Sequence, residues 1–119
     1  MKGYTNLEQS RKLEVILPLE SADLYYDISF DNEYHIQMPT NGYFGNNRFF
    51  IQFPEAVPCC SLASLLGVLP CASLHKTLIG WRCDYYNEEK KSFILGDLSD
   101  NPIDTCYKMI LKLHELKML

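Results

Sequence analysis

The 119-residue sequence predicts an α+β protein: a two-layer domain spanning residues 1–119, with a mostly antiparallel sheet of about five strands. Three observations carry that reading. Asn101 to Lys117 is a helix from end to end, with a cap, a Pro at its first position and a 3.6-residue apolar stripe. Aromatic and β-branched runs alternate with short Asp/Asn/Glu turns. No internal repeat and no long linker divides the chain.

Thr5 to Leu17 reads as the first helix. Thr5 and Glu8 have the spacing of a capping box, Leu7, Leu13, Ile16 and Leu17 make one apolar face, and Pro18 stops it. Ser21 to Tyr26 is either a strand entry or a short turn capped by Ser21. Tyr25–Phe30 and Tyr34–Met38, divided by Asp31-Asn32-Glu33, form a hairpin. Pro39 to Asn47 is a turn region rich in Gly and Asn, and Arg48–Phe53 alternates as a strand.

Pro54 and Pro58 bracket a connection to the central helix, Leu62–Leu69, which Ser61 caps and Pro70 ends. Its apolar residues point nearly all round, so the expectation is a deeply buried helix, with Gly67 permitting a close backbone crossing. Leu74–Tyr86 reads as one strand containing Trp81, Asn87-Glu88-Glu89 as a turn, and Lys90–Leu98 as the partner strand. The final helix opens on Asn101, Pro102 and Asp104. Its stripe of Ile103, Cys106, Met109, Ile110, Leu113 and Leu116 requires cover, and Ile110 should be fully buried, with Lys112 exposed.

Composition bounds the function. The net charge is −4 from 11 basic and 15 acidic residues, with no basic stripe for phosphates, so no nucleic-acid partner is expected. No apolar run approaches the ~20 residues of a membrane helix, and the N-terminus lacks an apolar signal segment. The 5 cysteines are odd in number and show no Cys-x-x-Cys, which suits a reduced cytoplasmic protein.

The candidate chemistry is sparse. Cys59 and Cys60 precede a helix N-terminus, where the helix dipole favours a thiolate, and His35 or His75 could serve as base. No signature of a cysteine enzyme surrounds them, and neither a catalytic residue nor a cofactor is assigned. Cys71 and His75 make a single closely spaced ligand pair; structural zinc uses two, so no metal is assigned either. The helix-end His114 is read as exposed. Aromatic residues exceed the needs of a small core, and outward ones suit a protein interface or a stacked ligand. Tyr43, Phe44, Trp81 and Tyr85 are the candidate binding residues.

Three separated segments carry a resemblance: Tyr4-Thr-Asn-Leu-Glu-Gln-Ser10, Pro58-Cys-Cys-Ser-Leu-Ala-Ser-Leu-Leu66, and Asp100-Asn-Pro-Ile-Asp104 with the later Leu-His-Glu-Leu. Together they resemble a family of small uncharacterised proteins of gut anaerobic bacteria, their phages and mobile elements. That family has Trp where this chain has Cys60. The resemblance implies a cytoplasmic, phage-associated accessory protein and supplies no catalytic residue. The function expected first is therefore a non-enzymatic protein–protein interaction module, including a homodimer. The alternative is a small-ligand protein for nucleotide-like molecules, and the third is a cysteine-dependent enzyme.

Overall fold

The computed structural model describes residues 3–28, 34–37, 56–69 and 71–119. In chain order these form α1 (Leu7–Glu14), a 3-10 turn (Leu19–Ser21), β1 (Leu24–Ile28), β2 (Tyr34–Gln37), β3 (Val57–Cys59), α2 (Leu62–Val68), β4 (Ala72–Thr77), β5 (Gly80–Asn87), β6 (Ser92–Ile94) and α3 (Pro102–Glu115). The α+β class holds. The strands of the described residues make two sheets of three, ordered β2-β1-β3 and β4-β5-β6, in place of one sheet of about five.

The physical reason lies in two places. Leu74–Tyr86 is not one strand: it folds back at Leu78–Ile79, and β4 pairs with β5 from Ala72↔Tyr85 to Thr77↔Gly80. Gly80 has φ +152°, and a side chain there would press on the Ser99 carbonyl, so glycine is needed at this turn. The segment around Pro58, expected as a connection, pairs with β1 as β3, Leu24 facing Cys59. Among the described residues β3 ends the sheet order, a position that tolerates Pro58. The hairpin β1–β2 forms in the register Tyr25↔Gln37 to Ile28↔Tyr34. The Pro39–Asn47 turn and the Arg48–Phe53 strand lie outside the described residues.

The first helix is capped one residue later than its sequence suggests. Asn6 accepts from the Gln9 N–H at 2.8 Å and the Gln9 side chain accepts from the Asn6 N–H at 3.0 Å. Thr5 is unavailable as a cap because it is buried, its hydroxyl bonded to Ser10 Oγ at 2.8 Å. Ser61 does cap α2, but α2 buries only one residue fully, Leu65. Its other apolar residues are half-buried or exposed, and nothing lies within 4 Å of a Cβ built on Gly67, so no close crossing occurs there.

The main core gathers Leu13 and Leu17, Leu65 and Leu69, Cys83, and the α3 stripe Ile103, Cys106, Met109, Ile110 and Leu113. Here α3 packs against β5 on one side and α2 on the other. A smaller cluster of Tyr26, Val57 and Cys59 joins the first sheet to Leu7 of α1. The two helix N-termini are tied together: Gln9 Nε2 donates to Asp104 Oδ1 at 2.8 Å. Lys112, expected to be solvated, is half-buried and donates to the Leu95 carbonyl at 3.0 Å. The rim residue of the stripe, Leu116, is exposed.

Candidate functional site

The cysteine pair sits where β3 ends and α2 begins, and both thiols are buried. Cys59 Sγ donates to the Thr5 carbonyl at 3.3 Å, and the Cys60 N–H donates to Thr5 Oγ1 at 3.2 Å. Burial pushes the Cys60 thiol up to about 11 and raises Cys59 as well. The expected dipole activation is offset by local chemistry. At the start of α2 the Ser64 N–H donates to Ser61 Oγ at 3.3 Å and the Ser61 N–H to Asp23 Oδ1 at 2.9 Å, so neither is turned to a thiolate. The Asp23 carboxylate adds negative charge beside both cysteines, which opposes thiolate formation. His75 faces Asp84 at 3.6 Å, His35 is exposed on β2, and His114 lies at the exposed end of α3. Among the described residues no three of His, Cys, Asp and Glu gather into a metal-holding group.

The second sheet brings a different set together. Cross-strand register puts Leu74, Cys83, Tyr85 and Ile94 on its core face, with Ser73, His75, Arg82, Asp84, Tyr86 and Phe93 on the other. Between the end of β6 and the Trp81↔Ser99 bridge, residues 95–98 depart from the ladder. Two side chains repair the gap. Thr105 Oγ1 accepts the Cys83 N–H at 2.9 Å and donates to the Asp97 carbonyl at 2.8 Å. Asp84, only 3% exposed, accepts the Gly96 N–H at 3.0 Å and meets Arg82 at 3.1 Å. On either side of Thr105 the buried Cys83 and Cys106 belong to the same core cluster and influence each other's thiol. The neighbouring Cys106 draws the Cys83 thiol down, while Cys83 and burial push Cys106 up.

Of the predicted binding residues, Tyr43 and Phe44 lie outside the described residues. Trp81 is half-buried near the hairpin end, with Lys76 Nζ 5.8 Å from its ring. Tyr85 packs on the core and lines a groove of about 790 Å³ with Tyr86, Ile94, Leu116 and Met118. Trp81 does not share that groove's lining. A separate cavity of about 380 Å³ opens between α1, the 3-10 turn and β3, with Leu13, Leu17, Leu19, Ala22, Pro58 and Cys60 in its wall.

The hairpin tip was not legible as a candidate. Leu78 is fully exposed and Ile79 79% exposed, both at the turn between β4 and β5. Thr77 stiffens this turn: its hydroxyl accepts the Ile79 N–H at 3.3 Å and donates to the Gly80 carbonyl at 2.9 Å. The signal available in sequence was Gly80 directly after two aliphatics, inside a stretch long enough to be folded double. Compared with family models, curated proteins and solved structures, the chain matches none.

Proposed function

We propose that this protein is a non-enzymatic, cytoplasmic protein-binding module, and that the β4–β5 tip is its contact. The observation that carries this reading is the full exposure of Leu78 with Ile79 on a turn stiffened by Thr77. Turn positions ordinarily hold Gly, Asn, Asp or Pro. Two bulky aliphatics there gain nothing in the free chain, whereas each is worth roughly 1.5–3 kcal/mol if fully buried by a partner. Lys76 over Trp81 flanks the tip, so a fitting partner offers an apolar pocket with an acidic rim. Two tips meeting would bury a few side chains, well below the ~1,200 Å² of a stable interface, which favours a foreign protein over a homodimer. The family resemblance adds an accessory role in a phage or mobile element.

The test compares wild type with the Leu78→Asn/Ile79→Gly variant, as bait for host or phage extract and in light scattering. Matched circular dichroism, with a protein captured by wild type and lost by the variant, is the expected result. Identical capture by both sinks the tip as the contact. A wild-type dimer that the variant converts to monomer replaces the foreign partner by a second copy.

A second reading, small-ligand binding, is supported by the 380 Å³ cavity, within the size range of ligand pockets. Its wall is mainly aliphatic with Glu14 and Ser21 as polar members and no aromatic face among the described residues, which suits an apolar molecule better than a stacked nucleotide base. Thermal-shift measurements with nucleotides and with short-chain fatty acids separate these, and no shift with either class at millimolar concentration removes the reading for both.

A further inference from the structure

Resting on the small-ligand reading of the cavity between α1, the 3-10 turn and β3, we propose that its occupant is a small aliphatic amine. The ammonium stays at the mouth and the alkyl chain lies inside. The inner wall decides what the buried end must be. Leu13, Leu17 and Cys60 are buried there, and Leu19, Ala22 and Pro58 extend the apolar surface. The polar groups beside them are already committed. The Ser21 carbonyl accepts from Ser64 Oγ and from the Cys60 thiol at 4.0 Å, and the Leu13 carbonyl accepts the Leu17 N–H at 2.8 Å. A polar group carried inside would lose its water and find no partner, whereas an alkyl chain gains by leaving water. The volume of about 380 Å³ holds such a chain with room to spare.

The mouth decides the head group. Glu14 is the one charged residue in the described wall. It is exposed, and among the described residues no cation pairs with its carboxylate. Glu14 and the cap residue Val15 also close α1, where the last carbonyls carry the negative end of the helix dipole. A second carboxylate, Glu20, stands in an adjoining groove that shares Leu17, Pro18 and Ser21 with the cavity.

The nearest cations open elsewhere. Arg11 and Lys12 line a different groove with Leu7, Glu8 and Val15, and Lys12 lies 3.8 Å from Glu8. An acid head at the cavity mouth therefore meets like charge, a hydroxyl meets neither attraction nor repulsion, and an ammonium meets Glu14 and the helix end. Because Glu14 is solvated, its attraction is modest: it selects among ligands, and burial of the chain holds them.

Hexylamine, hexanol and hexanoate share one apolar body and differ in the head, so they form the test. Each is titrated at millimolar concentration, neutral pH and low salt into the whole ¹⁵N-labelled protein, with amide shifts read by NMR. Shifts should cluster at residues 13–22 and 56–60, and hexylamine should bind about fivefold more tightly than hexanoate, with hexanol between them. Glu14→Gln, a substitution on an exposed position, should keep the circular dichroism and bring the three ligands within about twofold. Salt at about 1 M should do the same, since it screens charges beyond about 3 Å. Hexanol and hexanoate binding these residues as tightly as hexylamine overturns the amine and leaves the cavity a ligand site. A hexylamine preference unchanged in Glu14→Gln overturns the amine assignment as well, because the mouth carboxylate would not be its cause. No shift at these residues with any of the three removes the amine and the small-ligand reading together.

Discussion

Single residues are placed here by backbone proximity as much as by side-chain chemistry. A Cβ on Gly96 would fall 1.9 Å from the Cys83 carbonyl oxygen, an impossible distance to accommodate without moving the strand. Gly96→Ala should therefore destabilise the protein by about 3 kcal/mol or more. Gly67, in an open helical position, has the opposite sign. Gly67→Ala should stabilise by about 0.4–1 kcal/mol, through helix propensity and a less flexible unfolded chain. Urea titrations of the two variants check the pair, and equal effects would show that the strand path at residue 96 is misplaced. Buried thiols and phenols set the alkaline limit. Burial raises folded Cys60 from 9.0 to about 11, and Tyr26, whose hydroxyl donates to the Thr5 carbonyl, from 10.0 to about 12. A raised folded-state pKa means stability is whole below the unfolded value and drains away as pH climbs toward the folded one. The Cys60 and Tyr26 contributions should thus be whole below pH 9 and drain beyond it, Cys60 alone costing roughly 2–3 kcal/mol by pH 11. Unchanged urea midpoints from pH 8 to pH 11 would contradict this.

At the scale of elements, α3 is the organising piece. Asn101 caps it by accepting the Asp104 N–H at 2.9 Å, Pro102 sits at its start, and eight of its residues are buried. Ile110 is fully buried, and α3 packs against both β5 and α2. Ile110→Ala should cost about 2–5 kcal/mol, whereas Lys108→Ala, on the exposed face, should change stability by less than about 0.5 kcal/mol. Lys112→Ala falls between them, at about 0.5–1 kcal/mol, because it loses its bond to the Leu95 carbonyl. Denaturant midpoints measured together give the order. If Ile110→Ala is silent, α3 is not the seat of the core.

Across the whole molecule, the two sheets are unequally supported. The second sheet leans on the large cluster through Cys83, Leu74, Tyr85 and Ile94, while the first, among the described residues, packs on the smaller cluster of Tyr26, Val57 and Cys59. Stability should be distributed in the same way. In native-state hydrogen exchange, the amides of α3 and β5 should be the slowest, and those of the β1–β2 hairpin should exchange through a cheaper, partial opening. Uniform exchange across both sheets would indicate a single cooperative unit.

What the sequence determined by itself is what depends on neighbours along the chain. The α3 helix, with its cap and stripe, the Ser61 cap of α2, and the β1–β2 hairpin were all legible because helical periodicity, capping and strand alternation are local. Tertiary structure decided the rest. The turn at Leu78–Ile79 depends on Gly80 lying against Ser99, some twenty residues away along the chain. Thr5 reads as a cap until the Cys60 backbone and Ser10 claim its hydroxyl, and Asn6 then takes the role. Thiol state follows the same logic. Cys59 and Cys60 stand before a helix, yet burial and the Asp23 carboxylate outweigh the dipole there, while Cys83 and Cys106, unremarkable in sequence, share one core because β5 and α3 pack together.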